Sequence, residues 1–137
     1  MSVVASQRTE SDLAVIIKAR ELAVYTIKIA SNEKNFPKRY RWCITNKIID
    51  SVIDINKYIN KGNAIFVKGA EDFNIRRNMQ VNAMAETYSL LAMMDIAYAL
   101  FNVDSDRVDY WTGLVIELQR LIKKWRDSDY ERYKNIG

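Results

Sequence analysis

The sequence predicts an all-α protein that folds as an antiparallel up-down-up-down four-helix bundle. Two observations lead to this prediction. The 137 residues include only four glycines and one proline, whereas sheet-rich domains need more turn residues. Apolar residues also recur at three- and four-residue steps, the period of an amphipathic helix, through four long segments. Short connections favour antiparallel neighbours, and this length suits one domain, expected over residues 1–137.

Four helices are expected, joined by short or moderate loops and flanked by short tails, at about residues 11–31, 37–61, 71–101 and 105–127. Thr9 and Ser11 are candidate N-caps of the first helix. Pro37 indicates the start of the second, because proline is best tolerated in the first turn. Gly62 is a candidate C-cap of that helix, and acidic Glu71 indicates the first turn of the third.

The spacing of apolar residues predicts the face that each helix turns to the core. The inward residues of the first helix are expected to be Leu13, Ile16, Ile17, Ala23, Val24, Ile27 and Ala30. Those of the second are Tyr40, Ile44, Ile48, Val52, Ile55 and Ile59, and those of the third are Phe73, Ala83, Met84, Leu90, Leu91, Met94, Tyr98 and Phe101. The fourth shows the clearest heptad pattern, with Val108, Trp111, Val115, Leu118, Ile122 and Trp125.

Polar residues interrupt these core faces at Arg20, Arg41, Arg76 and Gln80. Buried charges need partners, so each requires a carboxylate, a helix terminus or an opening in the bundle. For Arg41 and Arg76, near helix ends, we expect the aliphatic stem to pack while the guanidinium reaches solvent. Arg20 lies mid-helix, which favours a ligand or subunit contact as the alternative.

The first two helices are apolar on a second side as well. Val15, Leu22 and Ile29 form a second seam on the first helix, and Trp42, Ile49 and Ile53 form one on the second. A helix with two apolar sides has two partners, so these six residues are predicted to form a homo-oligomer interface. Isolated exposed apolar residues, which are normal on protein surfaces, are the alternative interpretation.

The net charge of +4 is unevenly distributed along the chain. Residues 36–77 carry nine basic and four acidic groups, whereas residues 78–137 carry seven and nine. Basic groups alternate with aromatic ones near the start of the second helix and the end of the fourth, a composition that suits phosphates and unpaired bases. The predicted nucleic-acid-binding residues are Lys38, Arg39, Arg41, Arg76, Arg77, Lys123, Lys124 and Arg126.

The residue types needed for common catalytic and metal sites are missing from the sequence. It has no histidine, and its single cysteine, Cys43, is expected to be a half-buried apolar side chain. Gly62 and Gly69 lack the lysine and hydroxyl residue of a phosphate loop. We therefore expect a protein that is not an enzyme and has no cofactor or metal. Without an apolar signal segment or membrane span, we expect it in the cytoplasm, with no membrane partner.

Several short motifs resemble one protein family over roughly residues 12–128. They are the Phe36 to Arg41 segment opening the second helix, the Asn46 to Ile59 run ending at Gly62-Asn63-Ala64, Arg76 with Gln80, Trp111, Leu121, and the Lys124-Trp125-Arg126 end. The chain thereby resembles the accessory variability determinant family of diversity-generating retroelements. A wider group includes the four-helix proteins encoded in ribosomal-RNA intervening sequences.

The resemblance implies a homopentameric barrel of four-helix protomers. It also implies binding of nucleic acid, RNA or DNA, through a basic surface and binding of a reverse transcriptase. The intervening-sequence branch implies the alternative, a structural or protein-interaction oligomer with no role in a retroelement.

Overall fold

The computed structural model describes residues 9–137, and all of its regular structure there is helical. Four long helices are present in this range: α1 (Glu10–Ala30), α2 (Asn46–Ala64), α3 (Ala70–Leu100) and α4 (Ser105–Tyr133). A short 3₁₀ turn and a π-helical turn, Lys38–Tyr40 and Arg41–Thr45, lead into α2. The predicted all-α class is confirmed. The expected N-terminal tail, residues 1–8, lies outside the described residues.

The helices form a four-helix bundle in which each packs against two neighbours, in the order α1, α2, α3, α4 and back to α1. Arg76, in the second turn of α3, shows how they are oriented. It bonds Asp12 near the start of α1, the Gly62 carbonyl near the end of α2, and Asp129 near the end of α4. Two helix starts and two helix ends therefore meet, and the helices run up-down-up-down. We call this the Arg76 end.

At the opposite end of the bundle, Phe36 is buried between the helices. We call this the Phe36 end. Its ring packs edge-on against Phe101 and Trp111, with centroid distances of 5.4 and 6.0 Å. Trp111 also donates a hydrogen bond from Nε1 to the Thr26 hydroxyl at 2.8 Å. Phe36 therefore anchors the α1–α2 connection in the core as the chain turns at Pro37.

Local capping chemistry sets the start of α1, whereas α2 begins later than predicted, at Asn46 and not at Pro37, and α4 extends beyond the predicted residue 127 to Tyr133. Thr9 is the N-cap of α1, and it forms a capping box in which its hydroxyl accepts from the Asp12 amide while Asp12 accepts from the Thr9 amide. Gly62 is not a C-cap, because α2 continues to Ala64. It is buried against the ring of Trp125, where a Cβ would lie 2.9 Å from Cη2. The missing side chain at Gly62 therefore leaves room for the Trp125 ring, which reaches α2 from across the core.

The predicted inward face of α1 is largely wrong, although Ala30 is buried as predicted and Ile16 and Ala23 are partly buried against the core. Val15, Leu22 and Ile29 are buried in the protomer core, whereas Leu13, Ile17, Val24 and Ile27 are exposed. Because α1 is apolar on both sides, periodicity alone cannot select between them. Polar contacts distinguish the two sides: Asp12 and Thr26 lie on the buried side of α1, where they accept hydrogen bonds from Arg76 and Trp111.

Because the other side of α1 faces the core, Arg20 lies on the exposed face of the helix and does not interrupt the core stripe as predicted.

The predicted faces of α2 and α4 are largely confirmed. Ile44, Ile48, Val52, Ile55 and Ile59 are buried, as are Trp111, Val115, Leu118, Ile122 and Trp125, while Tyr40 and Val108 are partly buried against the core. On α3, Ala83, Leu90 and Met94 are buried, but Tyr98 is nearly half exposed and is not a core residue. No helix within residues 9–137 has the length and apolar character needed to cross a membrane.

Candidate nucleic-acid interface

A buried ion cluster organises the Arg76 end. The Arg76 guanidinium donates to Asp12 at 2.7 Å and to both carboxylate oxygens of Asp129, and the Gln80 amide donates to Asp129 at 2.7 Å. Burial acts to lower the pKa of Arg76, but the hydrogen bonds and negative charges of Asp129 and Asp12 outweigh it and raise the pKa. The guanidinium therefore stays charged at neutral pH.

The cluster corrects two expectations about Arg76. Its side chain is only 3% exposed, so it does not reach solvent as a helix-end arginine was expected to do. With its donors directed at two carboxylates and a carbonyl, it cannot contact a phosphate. Arg76 therefore holds the starts of α1 and α3 to the end of α4, and it is not a nucleic-acid-binding residue.

An exposed groove lies between α3 and α4 beside this cluster. It has a volume of ≈ 240 Å³ and is lined by Phe73, Arg77, Gln80, Lys123, Arg126, Asp127 and Tyr130. Three of the predicted basic residues, Arg77 of α3 and Lys123 and Arg126 of α4, are thus brought together although Arg77 is far from the other two in sequence. Lys124 is exposed on α4 but does not line the groove.

The charges of the groove leave it positive. Lys123 pairs with Asp127 at 2.9 Å, whereas Arg77 and Arg126 form no ion pair within residues 9–137. Phe73 and the exposed Tyr130 add aromatic surface beside these guanidinium groups. Guanidinium groups bind phosphate oxygens, and aromatic rings stack on unpaired bases. The groove thus combines both kinds of contact that single-stranded nucleic acid uses.

A second basic patch lies at the Phe36 end, around the turns that lead into α2. Lys38 and Arg39 are exposed, and Arg41 makes a longer contact of 3.3 Å with Glu33. Trp42, predicted as an interface residue, is 84% exposed. Cys43, which follows it, is exposed and not half-buried as expected. The π-helical turn places both of these side chains outward.

The predicted basic residues therefore do not form one surface. Lys38, Arg39 and Arg41 precede α2, whereas Arg77, Lys123 and Arg126 lie beside its far end. The 19 residues of α2 span about 28 Å at 1.5 Å per residue. The structure thus shows two patches at opposite ends of the bundle, and we call them the α3–α4 groove and the Phe36-end patch.

Two important residues of this region were missed in the sequence. Asp129 lies beyond the predicted end of α4, yet it takes the next heptad position after Trp125, four residues on. The heptad pattern, continued by one step, signals a buried position there. Tyr130 also lies beyond that predicted end, and only the added turns of α4 place it in the groove.

The predicted oligomer interface is only partly exposed. Val15, Leu22 and Ile29 are buried within the protomer, so they cannot meet a second copy, because their side chains already fill the core. On α2, Trp42 and Ile53 are exposed, and Ile49 is partly buried against the core.

Within residues 9–137, no three acidic or cysteine side chains cluster in an arrangement that could hold a metal ion. Comparisons with protein-family models, curated proteins and solved structures gave no match to this chain.

Proposed function

We propose that the protein binds single-stranded nucleic acid, RNA or DNA, and acts as a non-catalytic accessory protein. The α3–α4 groove carries this proposal, because it places a lysine, two aromatic rings and two guanidinium groups that have no ion pair among residues 9–137 around one cleft. The Phe36-end patch adds Lys38, Arg39 and the exposed ring of Trp42.

The resemblance to accessory variability determinants supplies the biological setting of the proposal. In that setting the protein forms a pentamer and assists a reverse transcriptase of a diversity-generating retroelement. A reverse transcriptase gene beside a pair of near-identical repeats, next to the gene for this chain, would support the setting. Co-purification of the encoded enzyme with this protein would test the partnership directly.

Salt titration tests the nucleic-acid binding. We expect the affinity for fluorescently labelled single-stranded RNA or DNA to fall steeply from about 50 to 200 mM salt, because bound phosphates release counterions. The Arg77→Ala/Lys123→Ala/Arg126→Ala variant should bind more weakly, and its log–log salt slope should be smaller by about 2, at about 0.7 per lost single-strand phosphate contact.

The matched control replaces three cations that already pair with neighbouring carboxylates, the partly exposed Lys18 and the exposed Arg120 and Lys134, as Lys18→Ala/Arg120→Ala/Lys134→Ala. It removes the same charge but should keep more of the affinity and slope. If both variants lose binding equally, the groove has no special role. If the wild-type protein binds neither nucleic acid at low salt, the proposed function is wrong.

The Lys38→Ala/Arg39→Ala/Arg41→Ala variant tests the other patch in the same titration. We expect weaker binding with an unchanged oligomer, because these side chains lie on turns outside the core. An unchanged affinity would restrict binding to the groove.

A second candidate is a structural or protein-interaction oligomer of the intervening-sequence type. Exposed apolar residues on α1 and α3, including Ile17, Val24 and Tyr88, favour it. Self-association is common to both candidates, and light scattering that reports a monomer would count against it in each.

A further inference from the structure

The outward face of α3 carries almost no charge in the middle of the helix. From Asn78 to Met94 the only charged residue is Glu86, and that side chain accepts a hydrogen bond from Ser51 at 2.8 Å. Exposed surfaces are usually about a quarter to a third charged. The exposed residues of this stretch are instead Asn78, Val81, Asn82, Ala85, Tyr88, Ser89 and Ala92. Such composition is typical of a helix that is covered on its outer side.

The outward face of α1 is a heptad seam. Leu13, Ile17, Arg20, Val24 and Ile27 follow one another at steps of four, three, four and three residues, and all are exposed. This is the spacing with which a helix packs lengthwise against another helix. On the adjacent face of α2, the half-exposed Ile53 extends the apolar surface. Within the protomer these side chains do not form the core.

The two faces match in height along the bundle. Asp12 of α1 and Arg76 of α3 are bonded and are 64 residues apart, and both helices start at the Arg76 end. A residue of α1 and the residue of α3 that lies 64 positions later in the chain are therefore at similar heights along the bundle axis, to within about one helical turn of 5.4 Å. Ile17 then corresponds to Val81 and Val24 to Tyr88. Arg20 lies level with Met84 and Ala85, where the small exposed side chain of Ala85 leaves room for the aliphatic stem of the arginine while its charged end reaches solvent.

We infer that the α1 face of one copy packs against the α3 face of the next copy. The inference rests on the proposed self-association and names the surfaces that form it. Because α1 and α3 occupy opposite corners of the bundle, the contact is head-to-tail, and it joins protomers into a closed ring or a filament. In a ring whose axis follows the bundle, the two helices run in the same direction and the heights above are kept.

A mixing experiment tests this arrangement. Val24→Glu places a charge in the α1 face, and Tyr88→Glu places one in the α3 face. Both positions are exposed in the protomer, at 47% and 62%, so the variants should fold. Each variant alone should be monomeric by light scattering. A 1:1 mixture should form a dimer of two 16.0 kDa chains, because it contains one intact α3 face and one intact α1 face.

The control is Ile116→Glu, which adds a charge to an equally exposed apolar position on α4. This variant should assemble like the wild type, since α4 lies outside both proposed faces. Circular dichroism that shows native helix content in each variant excludes unfolding as the cause of dissociation.

The possible results separate the inference from the proposals before it. A monomeric wild type would overturn the proposed self-association. An oligomeric wild type whose Val24→Glu and Tyr88→Glu variants also assemble would overturn only the assigned faces. If one variant forms a homodimer by itself, the contact is symmetric and the head-to-tail arrangement is wrong. Nucleic-acid binding is measured separately and is decided by none of these results.

Discussion

Arg76 is buried with two aspartates from opposite ends of the chain, and this makes Asp129 a sensitive position. Asp129→Ala would leave the buried Arg76 guanidinium paired with Asp12 as its one remaining carboxylate among residues 9–137. Removing one partner of a buried pair costs about 3–5 kcal/mol, so the free energy of unfolding should fall by that order. Urea denaturation monitored by circular dichroism measures the change.

Asp127→Ala is the control for this prediction on the same helix. Asp127 pairs with Lys123 at the surface, where such pairs contribute about 0–1 kcal/mol. Equal losses for the two variants would contradict the structural role given to the buried cluster.

Because the pKa of Arg76 is raised in the folded protein, the contribution of its ion pairs to the free energy of unfolding is present at neutral pH. It declines only as the pH rises through that raised pKa.

Arg76 and Gln80 show which features of a buried polar residue the sequence pattern can predict. The pattern indicated that Arg76 and Gln80 needed partners, but it could not identify Asp12 and Asp129. Those partners lie 64 and 53 residues away, and only the closing of the bundle brings them together. Arg76 was consequently assigned to a surface that it does not reach.

Helix packing depends at one point on the absence of a side chain. Gly62→Ala should lower the free energy of unfolding by about 1–3 kcal/mol, the usual cost of overpacking, because the new methyl group would meet the Trp125 ring. Gly113→Ala should raise it by about 0.5–1 kcal/mol, since this exposed glycine in α4 has no neighbour within 4 Å of the added Cβ. Thermal unfolding of both variants checks the opposite signs. A stabilised Gly62→Ala protein would contradict the close contact between Gly62 and the Trp125 ring.

At the level of the helices, sequence pattern worked where one side is clearly apolar. The heptad of α4 and the stripe of α2 predicted buried residues such as Leu118 and Ile55. For α1 the same reasoning gave the wrong face, since Leu22 and Val24 belong to equally apolar seams. Only contacts from other helices distinguish the two seams, and those contacts are long-range.

At the scale of the whole molecule, the four helices of residues 9–137 enclose one core, which extends from Phe36 to Trp125. A single core in a chain of this size predicts one cooperative unfolding transition. Trp111 lies at the Phe36 end and Trp125 at the Arg76 end, so each reports on one end. The Trp42→Phe/Trp125→Phe and Trp42→Phe/Trp111→Phe variants should each show the same midpoint by fluorescence and by circular dichroism. Different midpoints within one variant would indicate ends that unfold separately.

The arrangement of the four helices also explains why the predicted binding surface was only partly correct. Residue types identified Arg77, Lys123 and Arg126 as candidates, but their grouping depends on α3 and α4 lying side by side. Lys38 and Arg39 satisfy the same compositional rule, yet the length of α2 separates them from the groove. Composition therefore predicted the kinds of contact, and the topology of the bundle determined which residues act together.

The π-helical turn before α2 has a practical consequence. It turns Cys43 outward beside Trp42, and Cys43 is the only cysteine in the sequence. A maleimide dye would therefore attach at one known point of the native chain, next to the Phe36-end patch. Energy transfer from this dye to a labelled oligonucleotide would report the end at which the strand docks, without any engineered cysteine.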